Sequence, residues 1–312
     1  MVTGHESLTR SAVIVTLFVG TLLPWGGTRA DGGLLEHCWT ADGLRTGTGT
    51  AVTTLNAPAT EVAVAPLPAL PDRLHGSIRM VRPAGGEKVV ALTFDLCEGA
   101  REVSGYDAPL VAYLREQGVR ATFFAGGKWL RSHPEPALQL MADPLFEIGS
   151  HGWSHKDFAG LPAPARDAEI ARVQAEYARL RAVLGTRECA VAAGPEALAA
   201  IPTQPALFRF PYGRCDRAAL DAVAAAGLPA IQWSVVTGDP AKGQSAAAIA
   251  RAILDRTRPG AIVVMHANGR GWHTAEALRT AIPALRGRGY RFVTVSELLA
   301  LGDPVTADLC YE

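Results

Sequence analysis

The chain has 312 residues, of which 48% are apolar, and thirty basic side chains balance thirty acidic ones. A chain of this length and composition can bury a substantial core in one or two domains. Because the formal net charge is zero, the sequence lacks the basic surface that attracts nucleic acid or an acidic membrane, and we expect neither as a partner.

The N-terminus has the pattern of an export signal. One arginine at position 10 precedes a largely uncharged stretch, Ser11 to Trp25, and small residues lead to Ala30. This pattern predicts a signal peptide over residues 1–30, cleaved after Ala30. The apolar stretch is short for a bilayer span, so cleavage is favoured over a permanent anchor. We therefore expect an exported protein, periplasmic or secreted, with no stable membrane span after signal cleavage.

All five cysteines follow this signal, and an oxidising compartment would allow them to form disulfides. Cys189 and Cys215 bracket an insertion rich in Ala and Pro, whereas Cys38 and Cys310 lie near the two ends of the mature chain. We expect these two pairs to form. The odd cysteine, Cys97, is predicted to be a buried inert thiol, with metal ligation as the alternative.

The next segment, residues 31–86, is rich in Gly, Ala, Pro and Thr and has no sustained period, which predicts an irregular N-terminal extension. Residues 87–302 are predicted to form the main domain and residues 303–312 a C-terminal tail. Apolar runs in the main domain, rich in Val, Ile and Phe, have the length of buried strands. They are Val89–Phe94, Ala121–Phe124, Phe146–Ile148, Leu207–Phe210, Ala230–Val236, Ala261–Met265 and Arg291–Val295.

Helical patterns lie between most of these runs. The clearest extends from Ala165 to Leu184, where apolar residues recur every three or four positions. The others are Pro109–Gln117, Asp216–Ala226, Ser245–Thr257 and Thr274–Arg286. Alternation of strands and helices predicts an α/β fold with a mainly parallel sheet, covered by helices and curled into a barrel of seven units.

The reactive residues of the chain follow these strands. Each lies at or just past the carboxyl end of an apolar run, and such ends converge on one face of a repeating strand–helix protein. The sequence therefore predicts a single pocket. Its residues are Asp95 in TFDLCEG, His151 and His155 in SHGWSH, Arg209 in RFPYG, Asp239 in VVTGDP and His266 in VVMH.

The histidines at 151 and 155 have a spacing that brings two imidazoles together on a helical turn or in a tight loop around a metal. A surface loop covered by Trp153 is the alternative. Their position directly after an apolar strand favours metal binding.

The charged residues among these candidates predict two interacting pairs. Arg209 lies inside an apolar run, so its charge needs a partner, and Asp95 is the natural candidate. Asp239 is placed to fix and charge His266 as a carboxylate does in an acid–base pair. The alternatives are a helix cap for Asp95 and a hydrogen-bonded core histidine for His266.

The order and content of these segments resemble the polysaccharide deacetylases of carbohydrate esterase family 4, which share the NodB homology domain. The resemblance extends from Val89 to Leu301 and includes five separate motifs. It implies a distorted (β/α)7 barrel and a divalent metal, most commonly zinc. It also implies an acetylated glycan substrate, from which such enzymes remove N-acetyl groups or, in some members that act on xylan, O-acetyl groups.

By this resemblance, His151 and His155 match the two metal-binding histidines of the family. Asp95 matches the carboxylate that acts as general base, and Arg209 matches the arginine that orients this base. The resemblance thus implies a metal-assisted hydrolysis in which the base takes a proton from water.

The other half of the site is implied in the same way. His266 matches the general acid that protonates the departing amine, and Asp239 matches the aspartate that tunes it. The backbone N–H of Tyr212 matches an oxyanion donor. Trp233 and Val264 match the walls of the pocket around the acetyl methyl group.

One departure from the family concerns the metal. Where the family has a second aspartate on the metal, this chain has Leu96, which cannot ligate. The third protein ligand is then Asp95 itself, Cys97, Glu98 or Asp107, or water takes its place. If Asp95 ligates, Glu98 is the best candidate for the base. For Asp107 the sequence favours capping of the helix at position 109 over metal binding.

A second departure concerns the substrate groove, because Val236 and Pro240 stand where the family often has Asp and Trp. The first hypothesis is a hydrolase that removes N-acetyl groups from a glycan containing N-acetylglucosamine. One alternative is a hydrolase of acetyl esters or cyclic amides, and another is a carbohydrate-binding barrel without turnover. An enzyme is favoured because the remaining motif residues all persist.

Overall fold

The computed structural model describes Met1, residues 33–46 and residues 62–310. The predicted signal peptide, residues 1–30, falls outside this described part apart from its first residue. The described residues from position 33 onward belong to one compact unit.

One curled sheet of nine strands is found in the described part of the chain, in the order β4-β3-β2-β7-β1-β5, with β6 beside β7, β8 beside β2 and β9 beside β1. The strands β2, β3, β4, β6, β7 and β8 pair in parallel, and β1 runs antiparallel to β7 and β9. The strands are β1 Ser77–Pro83, β2 Val89–Leu96, β3 Ala121–Ala125, β4 Phe146–Ser150, β5 Ala230–Ile231, β6 Val235–Val236, β7 Ala261–His266, β8 Arg291–Phe292 and β9 Gly302–Ala307.

The two ends of this strand order meet at Phe208. Isolated bridges join it to Ser150 at the end of β4 and to Ala230 at the start of β5. The sheet therefore curls into a distorted barrel, as the resemblance implies. All eight residues of β2 are buried, which is typical of a parallel strand covered on both faces.

Helices flank the sheet, and several begin at a capping side chain. Asp107 accepts a hydrogen bond from the backbone N–H of Leu110, and Asp216 accepts one from that of Ala219. None of the helices in the described residues is both long enough and apolar enough to cross a membrane. The helices are α1 Leu34–Cys38, α2 Ala41–Thr46, α3 Ala108–Glu116, α4 Gly127–Ser132, α5 Pro134–Ala142, α6 Ala163–Gly185, α7 Glu188–Ala193, α8 Pro195–Ala199, α9 Arg217–Ala225, α10 Ala246–Arg256, α11 Thr274–Gly287 and α12 Val295–Ala300.

Most predicted elements are found, and the exceptions are short strands. The predicted strand Leu207–Phe210 contributes only the isolated bridges of Phe208. The run at residues 230–236 is divided into β5 and β6, and the run from Arg291 is a two-residue strand followed by α12, which begins at Val295. Apolar runs mark these segments as buried, but they do not fix how many residues pair in a sheet.

The structure differs from the sequence prediction at both ends of the predicted main domain, residues 87–302. Residues 77–83 fall in the segment predicted to be irregular, and residues 303–307 in the predicted tail, yet they form the antiparallel pair of β1 and β9. Gly302 and Pro304 are typical of turns rather than strands, and arginines interrupt the apolar pattern of β1. The pairing of β1 with β9 in the sheet outweighs these local preferences.

The predicted disulfide pairs are wrong. Cys38 is bonded to Cys189, and Cys215 is bonded to Cys310. The Cys38–Cys189 bond joins α1 to α7, and these two helices pack against each other. Cys97 is buried and has no disulfide partner, as predicted.

Candidate active site

The carboxyl ends of β2 and β7 bring two predicted site residues side by side. Asp95 and His266 are register partners on these hydrogen-bonded parallel strands. His151 directly follows β4, and its backbone N–H bonds to the carbonyl of Ala125 at the end of β3. The three side chains therefore come from strand ends on the same edge of the sheet.

Arg209 is fully buried beside Asp95, and its guanidinium has several acceptors. Its Nη1 donates to Asp95 Oδ1 at 2.9 Å and to Thr93 Oγ1 at 2.8 Å. Its Nε and Nη2 donate to the carbonyls of Ile231 and Gln232, each at 3.2 Å. A buried charge is tolerated when it is paired and hydrogen-bonded, and this network fixes both the arginine and the carboxylate.

The environment of Asp95 favours its ionised form. Burial alone would raise the pKa of this carboxyl, but the charge of Arg209, together with His151 and His266, outweighs it and holds the pKa below the ordinary value. Asp95 is therefore an ionised carboxylate at neutral pH.

His151 is held by a backbone carbonyl. Its Nδ1 lies 2.9 Å from the carbonyl oxygen of Arg209, which can only accept, so Nδ1 carries the proton. Nε2 is then the ring atom with a free lone pair, and it lies 3.8 Å from Asp95 Oδ2. Burial lowers the pKa of His151, which keeps the ring neutral. A neutral imidazole with one nitrogen fixed in this way is suited to metal ligation.

The loop after β4 brings His155 back to the same place. Gly152 and His155 both have positive φ, 71° and 53°, which turns the chain tightly. Glu169 of α6 holds the loop by accepting hydrogen bonds from the N–H and hydroxyl of Ser154, each at 2.7 Å. The His155 ring lies 5.1 Å from that of His151 between centroids, and burial lowers the pKa of His155 to about 3.

His266 is paired with a buried aspartate. Asp239 accepts from His266 Nδ1 at 3.1 Å through one oxygen and from the His266 backbone N–H at 2.7 Å through the other. Burial lowers the pKa of His266, but the hydrogen bond and charge of Asp239 outweigh it, so the pKa is raised. This imidazole can therefore be protonated near neutral pH and can donate from Nε2.

Several residues that sequence reasoning missed support these pairs. Asp239 also accepts from the hydroxyls of Thr237 and Thr274, and Thr93 accepts from Arg209. Gly271 makes a close approach, since a Cβ there would lie 2.2 Å from the carbonyl oxygen of His266. The spacing of Thr93 from Asp95 was an available signal, because strand residues two apart share a face.

One set of side chains in the described residues has the donors and proximity of a metal site. The sulfur of Cys97 and ring nitrogens of His151 and His155 lie within 4.8 Å of one another. Thiolate and imidazole ligands suit zinc, so the donor set fits the divalent metal that the resemblance implies.

Leu96 and the candidate ligands Glu98 and Asp107 lie in other surroundings. Leu96 is buried in the main apolar core. Glu98 Oε2 accepts from the hydroxyl of Ser132 at 2.6 Å, and its Oε1 lies 3.7 Å from Lys128 Nζ. Asp107 caps α3, as predicted in preference to metal binding. Neither carboxylate belongs to the donor set described above.

The predicted pocket walls lie close to these groups. Tyr212 is 63% exposed, and its ring packs against that of His155 with centroids 4.3 Å apart. The Trp233 ring lies 5.5 Å from the guanidinium carbon of Arg209. Val264 is buried on β7, where it pairs with the exposed Val236 of β6.

Comparison with known sequences places these motifs in a family. The model of the polysaccharide deacetylase family matches residues 82–196. A chitooligosaccharide deacetylase of Rhizobium leguminosarum is 31% identical over 253 residues, covering 76% of this chain and 97% of that protein. A peptidoglycan N-acetylglucosamine deacetylase of Listeria monocytogenes is 29% identical over 218 residues, covering 70% of this chain. The match spans only 40% of the Listeria protein.

Solved structures give the same grouping. A peptidoglycan N-acetylglucosamine deacetylase in complex with a hydroxamate has the same fold, with a TM-score of 0.60 at 23% identity over 73% of this chain and 95% of the other. A family 4 acetyl xylan esterase of Clostridium thermocellum with a cobalt ion has a TM-score of 0.55 at 27% identity over 69% and 91%. A variant of a family 4 pseudoenzyme with restored activity has a TM-score of 0.56 at 25% identity over 72% and 71%. The chain therefore belongs to the polysaccharide deacetylases of carbohydrate esterase family 4.

Proposed function

We propose that the protein is a metal-dependent hydrolase that removes N-acetyl groups from a polysaccharide or oligosaccharide containing N-acetylglucosamine. The observation that carries this proposal is the adjacent pairing of a buried ionised carboxylate, Asp95, with a histidine, His266, whose own aspartate raises its pKa. The names of the Rhizobium and Listeria relatives agree with such a substrate.

His151 and His155 would hold the divalent metal, and zinc suits them best. When bound, such an ion polarises an acyl oxygen and lowers the pKa of water. The hydrogen bond from His151 Nδ1 to the Arg209 carbonyl supports this role, because it leaves Nε2 available and fixes the plane of the ring.

Asp95 acts as general base toward the attacking water. Arg209 keeps it ionised at neutral pH, and the bond from Nη1 to Oδ1 leaves Oδ2 directed toward His151. Burial removes competing solvent around the carboxylate, so the base is both charged and oriented before the substrate arrives.

His266 acts as general acid toward the leaving nitrogen. Asp239 holds the Nδ1 proton and stabilises the imidazolium, so Nε2 is the atom that gives up a proton. An amide depends on this step more than an ester does, because an amine anion is a very poor leaving group. The raised pKa of His266 therefore supports hydrolysis of a carbon–nitrogen bond.

The remaining residues shape the acyl pocket. The backbone N–H of Tyr212 contributes to stabilising the oxyanion, at a turn where Tyr212 has a φ of 59°. Trp233 and Val264 wall the site of the acetyl methyl group. Trp233 lies beside the guanidinium of Arg209, and Val264 belongs to β7.

We also propose that the chain is exported, with a cleaved signal over residues 1–30 and a catalytic barrel that begins near residue 77 and includes β9. Two disulfides support this location, because disulfides persist in oxidising compartments. Sequencing the N-terminus of the protein from the periplasm or medium tests the cleavage site.

The activity is tested by measuring acetate release from chitin oligomers by metal-loaded protein. We expect about one divalent ion per chain, lost in His151→Ala and His155→Ala. Asp95→Asn and His266→Ala should each lower the rate by about 10²–10⁴-fold. His75→Ala, at an exposed histidine remote from the described site in sequence, serves as the control and should keep both metal and rate.

The same assay on acetylated xylan separates the alternatives. Acetate from xylan alone would contradict N-deacetylation and favour an ester hydrolase, as in the Clostridium relative. A cyclic amide substrate would release no acetate and would show ring opening instead. Metal-bound protein that retains chitin oligomers without turning them over would be a carbohydrate-binding barrel.

A further inference from the structure

We propose that Cys97 is the third protein ligand to the metal, which makes this a mixed thiolate–imidazole site. This inference rests on the metal site of the proposed function and identifies the donor that takes the place of the missing second aspartate. It begins from the observation that Cys97 Sγ lies within 4.8 Å of donor nitrogens of both His151 and His155.

The direction of the chain after β2 explains why the sulfur reaches the site. Side chains of an extended strand alternate between its two faces, so residues two apart point the same way. Asp95 Oδ2 and Cys97 Sγ both lie near ring nitrogens of His151, whereas Leu96, the last residue of β2, lies in the apolar core and Glu98 lies in the polar cluster around Ser132. Of the two residues adjacent to Leu96, Asp95 is paired with Arg209, so Cys97 is the neighbour whose side chain can take the place of the missing ligand.

Asn268 holds the sulfur in this direction. Its Nδ2 donates to Cys97 Sγ at 3.0 Å and to the Cys97 carbonyl at 2.7 Å, while its Oδ1 accepts from the Arg270 backbone N–H at 3.2 Å. The last contact fixes the orientation of the amide, so an N–H faces the sulfur. Amide donors of this kind orient a metal-bound sulfur and stabilise its negative charge.

The competing carboxylates have other roles in the structure. Glu98 is bonded to Ser132 and to the backbone N–H of Ser104 at 3.1 Å. Asp107 caps α3. Asp95 is bonded to Arg209 through Oδ1, and a thiolate ligand at residue 97 leaves Asp95 to act as the base.

A thiolate ligand at residue 97 affects which metal the site prefers. A thiolate is a soft ligand, and it favours zinc, cobalt and cadmium over magnesium and manganese. This chain should therefore discriminate more strongly against the harder ions than a relative whose third ligand is a carboxylate.

The experiment exploits the state of the cysteines. Four of the five form disulfides, so Cys97 is the one residue that can supply a thiolate. Zinc-loaded full-length protein should show a sulfur scatterer at about 2.3 Å by X-ray absorption spectroscopy. Cobalt-loaded protein should show a thiolate-to-cobalt charge-transfer band in the near ultraviolet.

Cys97→Ser should remove both signals and weaken zinc binding by more than the 10–100-fold typical of losing an outer-shell contact. Cys97→Asp should also remove both signals, but it should retain metal through a carboxylate and bind manganese better than the wild-type chain does. Asp107→Asn is the matched control, because Asn caps a helix as well as Asp does, and it should leave both signals intact. Circular dichroism of each variant establishes that it is folded.

Two results would overturn the proposal, and they differ in what they mean. Metal bound through His151 and His155 with no sulfur signal, and with Cys97→Ser unchanged, would refute the cysteine ligand and leave the proposed hydrolase standing. Wild-type protein that binds neither zinc nor cobalt would refute the ligand and the proposed function together.

Discussion

The carbonyl oxygen of Arg209 lies 2.9 Å from Nδ1 of His151, while the guanidinium of the same residue donates to Asp95. One residue thus orients a candidate metal ligand through its main chain and the candidate base through its side chain. A substitution at position 209 removes the second contact and keeps the first. The two roles can therefore be separated by experiment.

Replacing Arg209 by methionine should shift the pH dependence of the reaction and leave the metal in place. The pKa of Asp95 is held low by the arginine, and burial raises it once that charge is gone. Because the base must be ionised, the acid limb of the kcat/KM profile should move to higher pH in Arg209→Met. Metal content should stay constant, since His151 is held by the backbone. The pH profile of kcat/KM and the metal content are measured on the same preparation.

Arg209→Lys is the control for this prediction, because it retains the positive charge and should shift the limb less. An acid limb that stays in place in Arg209→Met would mean that Asp95 is not the titrating base. The methionine variant should also lose about 3–5 kcal/mol of stability at neutral pH, where Asp95 would be a buried unpaired charge. That loss should shrink at a pH below the ordinary aspartate pKa, where Asp95 is protonated.

Replacing Asp239 by asparagine should move the basic limb of the pH–rate profile. Asp239 raises the pKa of His266, so Asp239→Asn should lower it and bring the basic limb of the rate profile to lower pH. The rate on an N-acetyl substrate should fall by about 10²–10⁴-fold, the usual contribution of a general acid. The measurement is the pH dependence of acetate release.

An activated aryl acetate provides the control for Asp239→Asn, because its leaving group departs without a proton. The variant should lose far less activity on this ester than on the amide. Equal losses on both substrates would indicate that Asp239 maintains the shape of the site rather than the acidity of His266.

The pair of Arg209 and Asp95 could be predicted because a buried charge needs a partner of opposite sign. Arg209 lies inside an apolar run, and Asp95 lies near the carboxyl end of β2. The helix capped by Asp107 could be predicted because the signals for its start lie within a few residues. Local rules therefore account for most elements and for the position of the site.

Features that depend on distant packing could not be predicted. The partner of Cys38 is set by the contact of α1 with α7, and strand β9 exists because β1 lies beside it. Cys97 is an intermediate case. Alternation along a strand would put it on the face of Asp95, but Cys97 lies beyond the end of β2, and the sequence does not show that Asn268 holds the sulfur.

Replacing Gly271 by alanine should damage the acid–base pair without removing metal. A Cβ at this position would lie 2.2 Å from the carbonyl oxygen of His266 and 2.6 Å from Thr274 Oγ1. Overpacking of this kind costs about 1–3 kcal/mol, and here it falls on the loop that holds His266 against Asp239. We expect a lower kcat and a lower melting temperature with unchanged zinc content.

Gly243→Ala is a suitable control, because a Cβ there meets no atom within 4 Å. It should leave kcat and melting temperature unchanged. Wild-type activity in Gly271→Ala would show that the loop relaxes and that its close approach is not needed for the site.

Removing either disulfide should lower stability and leave the chemistry intact. Each of the double variants Cys38→Ser/Cys189→Ser and Cys215→Ser/Cys310→Ser should lose about 2–5 kcal/mol, measured by denaturant unfolding. The sequence separations are 151 and 95 residues, so chain entropy predicts a difference of only about 0.4 kcal/mol between them. A larger loss in one variant must come from what its disulfide holds in place.

We expect the larger loss without Cys215–Cys310, because the hydroxyl of Ser77 in β1 donates to the carbonyl of Leu309, beside this disulfide, at 2.7 Å. Equal losses would mean that β1 and β9 stay paired without it.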